Sequence, residues 1–288
     1  MSAHASSDLA AWVQSVIRDF LDTPSENSPG KEGTERFWDD ALVGFSRGDD
    51  PLYEAFKEHV GPFHWTPSEI FCLTFPETPA EPHELTVISW VLPATEATRA
   101  DNREETTYPS ERWAKARTFG EVVNERLRKH LVAALQKAGF DALAPSLSPG
   151  FTWQDSPQFG FASNWSERHA AFASGLGTFG LCDGLITAVG KAMRAGSVIA
   201  RVPIPPTPRP YRSHTEYCLF SSRGTCKKCM QRCPVGAITE AGHDKVKCFE
   251  HVFNTAIPYI KTRYGFDGYS CGLCQTGVPC EAGIPVKK

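Results

Sequence analysis

Eight of the chain's ten cysteines lie between residues 218 and 280. The centre of this run reads Cys226-x2-Cys229-x3-Cys233-Pro234, and a second short-spaced pair follows at Cys271 and Cys274. Bacterial ferredoxins hold four-iron clusters with the same closing pattern, in which the cysteine before the proline binds the other cluster. Eight thiolates are enough for two [4Fe-4S] clusters, so the run predicts a domain that relays electrons one at a time.

The spacing also suggests how these cysteines divide between two clusters. A two-residue gap lets neighbouring thiolates bind adjacent irons, whereas the step to Cys233 leads away from the same cluster. The first cluster set is Cys218, Cys226, Cys229 and Cys280, and the second cluster set is Cys233, Cys248, Cys271 and Cys274. Structural zinc held by two Cys-x2-Cys pairs is a competing interpretation, which leaves the other cysteines unexplained. A disulfide scaffold is a further alternative, typical of short, loop-rich chains.

Two cysteines remain outside the run. Cys72 lies among apolar residues at 70–73, which favours a thiol in the hydrophobic core. Cys182 follows a glycine-rich turn and precedes Asp183. It is therefore a possible redox or substrate-facing residue.

The composition limits the classes of protein to be considered. The chain has 288 residues, a formal charge of -3 and 41% hydrophobic residues, enough for one large domain or two smaller ones. A net negative charge does not attract nucleic acid to the protein as a whole, so the composition does not indicate a general nucleic-acid-binding protein. We see neither a signal-peptide pattern nor an apolar stretch of membrane-spanning length. We therefore expect a cytoplasmic protein without membrane contact, in which thiols bind metals rather than form disulfides.

The hydrophobic periodicity before the cysteine run predicts a mixture of helices and strands. Helices are predicted at residues 8–23, 35–47, 51–60 and about 110–138, the last one ending before Gly139. Strands are predicted at residues 85–92, 185–189 and 197–202. Another helix is predicted to begin near Asn164, which forms a capping-box pattern with Glu167. Residues 25–33 predict a polar loop.

Prolines mark a boundary in the chain. Five of them lie between residues 203 and 210, which predicts a stiff, extended linker. The fold class is therefore predicted as α+β. An α/β domain is expected at residues 1–203, a proline-rich linker at 204–213 and a cluster domain at 214–288.

Residues 145–165 form a long segment without predicted regular structure, which is uncommon unless the segment binds something. Four of its five aromatic residues are Trp153, Phe159, Phe161 and Trp165. They could wall a flat macrocycle or an aromatic substrate, or only pack as a small separate core. Asp155 in this segment and His169 just after it are the acid–base candidates for catalysis. A solvated carboxylate and a surface histidine are the alternatives.

From about residue 160 onward, the chain resembles the epoxyqueuosine reductase family, which is related to the catalytic core of reductive dehalogenases. Glu167-Arg168 leads to a turn at residues 175–180 that is similar to the family's G-L-G-W-I-G turn. Residues 185–187 with Gly196-Ser197 are similar to the family's strand pair. The cluster block matches at residues 234–238, 247–248 and 271–275.

The resemblance implies a nitroreductase-like α/β domain followed by a ferredoxin-like domain with two [4Fe-4S] clusters. A base-off cobalamin would lie between these domains, and the clusters would reduce its cobalt. The implied activity is a cobalamin-dependent reduction of a small organic substrate. Residues implied to contact the cofactor are Gly175, Gly177, Thr178, Gly180, Cys182 and Ser197. The glycines suit a helix-to-strand turn equally well.

The chain departs from the family at several positions. Arg223 stands where the family has its first cluster cysteine, and Cys218 is assigned in its place. The family's V-D-x-x-P segment has only a displaced counterpart at residues 155–157. Its C-terminal helical-repeat extension, associated with tRNA, has no counterpart, so tRNA is not an expected partner. The open alternatives are an electron-transfer protein that reactivates a corrinoid protein, and a shortened tRNA epoxyqueuosine reductase.

A group of cations surrounds the first cysteine motif. Its members are Arg209, Arg212, Arg223, Lys227, Lys228 and Arg232. They could balance the negative charge of the clusters. Alternatively, they could dock an acidic electron donor such as ferredoxin or flavodoxin.

Overall fold

The computed structural model describes residues 3–28 and 35–285, which form a mixed α+β fold. The helices are α1 (Ala3–Asp22), α2 (Leu52–Val60), α3 (Pro67–Thr74), α4 (Glu96–Glu104), α5 (Glu111–Lys137), α6 (Glu167–Ala173), α7 (Leu219–Arg223), α8 (Lys228–Arg232), α9 (Lys245–His251) and α10 (Ile257–Tyr264). The strands are β1 (Leu42–Arg47), β2 (Thr86–Pro93), β3 (Ala142–Leu143), β4 (Trp153–Ser156), β5 (Gly160–Ser163), β6 (Gly177–Phe179), β7 (Leu185–Thr187), β8 (Met193–Ala200), β9 (Ile238–Thr239) and β10 (Gly242–His243). None of the described helices is both long and apolar enough to cross a membrane.

A four-stranded antiparallel sheet in the order β1-β2-β8-β3 organises the first two thirds of the chain. Every residue of β2 is buried, because helices cover both faces of the sheet. Ile88, Trp90 and Leu92 pack with α1 and α5 on one face. Val87 and Val91 point to the other face and pack with α2, α3 and α6, as the two-residue period of a strand requires.

Helix α5 confirms the long helix predicted at residues 110–138. The Ser110 hydroxyl accepts a hydrogen bond from the Trp113 amide and caps its first turn. Gly139 follows its last turn with a φ of 87°, a left-handed conformation that favours glycine. The helix carries one wall of the site described below.

Three local predictions were wrong. Residues 42–47 of the predicted helix 35–47 form strand β1, which pairs with β2 from Leu42↔Val91 onward. Residues 153–163 form the β4–β5 hairpin rather than an irregular loop. Helix α6 begins at Glu167 and is capped by Ser166, whose hydroxyl accepts from the His169 amide. The Asn164 side chain instead bonds Thr152 and Gly150.

The other predicted elements fit more closely. Helices α1 and α2 match the predictions at 8–23 and 51–60, and β2 matches the prediction at 85–92. Strands β7 and β8 overlap the remaining two strand predictions with shifted ends. The predicted polar loop at 25–33 lies partly outside the described residues.

The proline-rich segment is extended and lies along β1. The Thr207 amide donates to the Phe45 carbonyl at 2.9 Å, and the Phe45 amide donates to the Thr207 hydroxyl at 2.9 Å. Ile204 is buried in the same core as α1 and α5. The division into domains at this segment stays a prediction.

The remaining chain, residues 214–285, is called the cysteine region below. It contains short helices, two-residue strands and a π-helix at Val252–Ala256. Backbone bonds tie it to the sheet, since the Lys191 amide donates to Cys280 and Glu281 carbonyls at 3.0 and 3.2 Å. The Glu281 carboxylate also pairs with Arg103 at 2.8 Å. A two-cluster ferredoxin-like fold for this region stays a prediction.

Candidate functional site

A large cavity of about 590 Å³ lies between the sheet and the cysteine region. Its volume falls within the range that accommodates small molecules and cofactors. The aromatic residues of its wall include Trp113, Phe151, Trp153, Trp165 and Tyr269. The cysteines of its wall are Cys182, Cys233, Cys248, Cys271 and Cys274. The cavity therefore includes the whole second cluster set.

The first cluster set lines a separate small cavity. All four of its members, Cys218, Cys226, Cys229 and Cys280, face this space together with Gly180 and Lys191. The small cavity has a volume of about 20 Å³, room for roughly one water molecule. The structure thus brings together the members of each predicted set, although which sulfurs bind iron stays a prediction.

The donor chemistry of both sets fits iron–sulfur clusters, because each set consists of four thiols. Among the described residues, no three or more Cys, His, Asp or Glu side chains could hold a single metal ion. A four-iron cluster places each thiolate on a different iron, so its ligands need not converge on one point. The first set would have to spread apart to admit a cluster.

Cys182 and Lys191 lie where the two cavities approach each other, and both line the large one. The Lys191 ammonium donates to the Cys182 sulfur at 3.2 Å. Hydrogen bonds with the thiols of Cys229 and Cys274, together with the Lys191 charge, hold the pKa of Cys182 well below its usual value. The glycine-rich turn before Cys182 predicts a possible role for this residue, but nothing in the sequence points to its lysine partner.

Charged side chains from α5 and β8 form a network in the wall of the large cavity. Glu121 accepts from Arg194 at 2.7 Å and from Arg128 at 3.2 Å. Burial opposes its ionisation, but Arg194, Arg128 and Arg117 together lower the pKa of Glu121 to about 2. Arg117 also donates to the Tyr269 hydroxyl at 2.8 Å and lies over its ring. This network fixes Tyr269 at the cavity wall.

Several buried polar atoms at the cavity have no hydrogen-bond partner among the described residues. They are Arg128 Nε, Ser146 Oγ, His251 Nε2 and Ser270 Oγ. Buried polar groups are nearly always paired in folded proteins. These atoms are the groups of the cavity wall that a polar ligand would bond. These residues are far apart in sequence, so the sequence offered no signal for them.

An imidazole–carboxylate pair also reaches the cavity. His243 Nδ1 lies 2.9 Å from an Asp183 carboxylate oxygen, and His243 lines the cavity. Burial alone would lower its pKa, but hydrogen bonds with Asp183 and Cys248 raise the pKa of His243 to about 10. The Asp183 backbone has a φ of 56°, a left-handed conformation that is uncommon without glycine. This pair was not predicted.

The predicted catalytic residues are not brought together. Asp155 is exposed on β4, on the same face of the hairpin as cavity-lining Trp153. His169 is not among the residues that line the large cavity, and its ring packs against Phe56 and Phe179. Burial, with a contribution from His64, lowers the pKa of His169 well below its usual value. A catalytic role for either residue remains a prediction without geometric support.

The residues implied to contact a cofactor are scattered. A side chain at Gly175 would meet the Pro208 carbonyl, and one at Gly177 would meet the Ile186 backbone, so packing alone accounts for both glycines. The Thr178 hydroxyl accepts from the Tyr217 amide at 2.9 Å. Gly180 lines the small cavity. The buried Ser197 hydroxyl donates to Glu167 and accepts from Trp165, behind the large cavity.

The cations near the first cysteine motif do not form one surface. Arg232 donates to backbone carbonyls of Leu273 and Thr276, and it holds the cysteine region together. Arg209 pairs with Asp50, and Lys227 pairs with Glu240. The three exposed members without such a role are Arg212, Arg223 and Lys228. They leave a smaller surface for an electron donor than the sequence implied.

Cys72 lies apart from both cavities. Its thiol donates weakly to the Ala80 carbonyl at 3.8 Å. It borders an open surface cleft with Trp65 and Leu73. Neither cluster set contacts that cleft.

Comparison with known proteins gives two kinds of similarity, although no family model matches the chain. The epoxyqueuosine reductase of Bacillus anthracis is 31% identical over 124 residues, which cover 41% of this chain and 30% of that protein. The reductase of the same name from Bacillus cereus matches equally well. The matched segment thus spans less than a third of either relative.

Two solved structures share the fold over nearly the whole chain. An epoxyqueuosine reductase with a modified tRNA-Tyr stem loop has a TM-score of 0.51 at 16% identity, and covers 99% of this chain and 67% of that one. A catabolic reductive dehalogenase in complex with 3-bromo-4-hydroxybenzoic acid has a TM-score of 0.50 at 16% identity. The match covers 96% of this chain and 38% of the dehalogenase chain. At these identities the likeness concerns the fold alone.

Proposed function

We propose that this chain, an epoxyqueuosine reductase-like protein with the fold also found in reductive dehalogenases, is an iron–sulfur oxidoreductase. The observation that supports this most is the shared wall of the large cavity. The second cluster set forms part of that wall, and buried polar atoms without partners form another part. A source of electrons and a place for a ligand would therefore adjoin each other.

The two cluster sets would hold the electron carriers. Two [4Fe-4S] clusters would supply single electrons, one cluster at each set. Cys229 and Cys274, one from each set, both contact Cys182. Because the sets approach so closely, electrons could pass from the small cavity to the large one within the protein.

We further propose that the large cavity binds cobalamin, as the resemblance implies. Such a cofactor supplies a metal centre that collects electrons for a two-electron reduction. Trp113, Trp153 and Trp165 would pack against its flat ring, and His251 Nε2 and Ser270 Oγ would bond its polar edge. A small organic substrate is the proposed reactant.

His243 is the best placed proton donor for this reduction. Asp183 holds its Nδ1 atom, and the imidazole lines the cavity. Its raised pKa keeps a proton on the ring at neutral pH. Tyr269, whose hydroxyl accepts a hydrogen bond from Arg117, is a second candidate proton donor on the wall. Asp155 and His169 lack a comparable position.

Cobalamin binding tests this proposal directly. Anaerobically purified protein, reconstituted with iron and sulfide, is titrated with cob(II)alamin while the visible and paramagnetic-resonance spectra are recorded. We expect a base-off spectrum, and roughly tenfold weaker binding for His251→Phe because one hydrogen bond is lost. His130→Phe, an exposed histidine on α5, is the matched control and should bind normally. Iron without any cobalamin binding would instead support an electron-transfer protein.

Reduction of epoxyqueuosine in tRNA is a second proposal. The identity to the Bacillus reductases favours it. The expectation that tRNA is not a partner lacks support, because a structure of the same fold was solved with a tRNA stem loop. Expression in a queuosine-deficient strain should restore queuosine in its tRNA if this is the activity. A Cys233→Ser variant is the control, and failure of both proteins would exclude this substrate.

A further inference from the structure

Lys191 is a buried ammonium without a carboxylate partner. The residue is 3% exposed, and its Nζ donates to the Cys182 sulfur at 3.2 Å. Within residues 3–28 and 35–285, no Asp or Glu forms an ion pair with it. A buried charge is costly unless an opposite charge lies beside it. The opposite charge at this position must come from sulfur.

Cysteines surround this ammonium on several sides. Lys191 lines the small cavity together with Cys229 and Cys280, and it lines the large cavity together with Cys182 and Cys274. Cys229 and Cys280 belong to the first cluster set and Cys274 to the second. Lys191 therefore lies at the junction of the two sets, and a single side chain acts on both.

The backbone holds both members of the pair in place. Cys182 lies in a tight turn, where the Gly180 amide donates to the Gly184 carbonyl at 2.8 Å and the Asp183 amide donates to the Gly180 carbonyl at 2.9 Å. The Lys191 amide donates to the Cys280 carbonyl at 3.0 Å. The Lys191 side chain packs beside Gly184, where an added Cβ would lie 3.5 Å from Lys191 Cδ. The contact is thus part of the docking between the sheet and the cysteine region.

We propose that Lys191 is a positioning residue whose buried ammonium raises the reduction potential of the two clusters, and that the Cys182 sulfur, which is not a cluster ligand, holds this ammonium in place. The inference rests on the proposed iron–sulfur function. Reduction adds one electron to a cluster, so a fixed positive charge nearby stabilises the reduced form. Net charge and hydrogen bonds to sulfur are the features that tune such potentials. The electron comes from an external donor, and no bond is made or broken.

Replacing Lys191 tests the charge. Lys191→Met keeps the length of the side chain and removes its ammonium. We expect an unchanged iron content and a lower midpoint potential, measured by titration with dithionite and paramagnetic resonance. Lys57→Met is the control, because Lys57 pairs with Glu69 away from both cavities. If Lys191→Met retains its iron and its midpoint potential is unchanged, the inference about Lys191 is overturned, whereas the proposed iron–sulfur function is not.

Replacing Cys182 tests whether its sulfur positions the ammonium. Cys182→Ala removes the acceptor of the Lys191 hydrogen bond, so we expect a lower midpoint potential than in the wild type, a smaller shift than in Lys191→Met, and wild-type iron content. Cys72→Ala is the matched control. Loss of iron in Cys182→Ala would make it a cluster ligand and overturn the assignment. Wild-type protein that binds no iron would overturn the proposed function as well, which distinguishes the two failures.

Discussion

Single residues at the large cavity show where charge is concentrated. On α5, the Glu121 carboxylate interacts with three arginines. One of these, Arg128, also lies 3.3 Å from a carboxylate oxygen of Glu167. Removing one partner of a buried ion pair leaves the other charges buried without compensation. The stability lost in this way usually exceeds what the pair contributes. Glu121 therefore stabilises the fold and shapes the cavity wall, although it donates no proton to a ligand.

Glu121→Gln should lower the free energy of unfolding by roughly 3 kcal/mol at pH 7, since the folded-state pKa lies well below that of a free glutamate. A carboxyl with a lowered pKa stabilises the protein above its unfolded pKa. That contribution is lost as the pH falls through the folded value of about 2. Urea unfolding at pH 7 and pH 3 should therefore show a smaller difference between variant and wild type at pH 3.

Glu125→Gln, one turn further along α5, is the control for the Glu121 variant. The Glu125 side chain also lines the cavity, but it forms no ion pair with the three arginines that pair with Glu121. Equal losses of stability in both variants, or a difference that does not vary with pH, would contradict the role given to Glu121.

At the scale of elements, the sequence predicted those helices and strands whose formation depends mainly on residues near each other in the chain. Helix α5 was predicted because its apolar stripe, its Ser110 cap and Gly139 agree. Strand β1 was missed because its extended form depends on pairing with β2, about forty to fifty residues further along the chain. The β4–β5 hairpin was missed for a similar reason. Trp153 is a large apolar residue that is exposed, so polar and apolar residues do not alternate along β4 as they do in a half-buried strand.

At the scale of the whole molecule, the sequence predicted the groups of cysteines but not their surroundings. The cysteine pattern and the resemblance suggested the two cluster sets, and each set lines one cavity. The lysine at their junction, the His243–Asp183 pair and the unpartnered atoms of the wall come from segments that meet only after folding. Such contacts depend on how the sheet and the cysteine region dock. No single segment of sequence encodes them.

Iron content tests the central claim, that the cysteines form two cluster sites beside one cavity. After anaerobic reconstitution, we expect about eight irons per chain, and about four in Cys226→Ala and in Cys271→Ala, one from each set. Cys72→Ala should keep the wild-type content. Absence of iron from the wild-type chain would contradict the claim. Loss of all iron from either cluster variant would contradict two independent clusters.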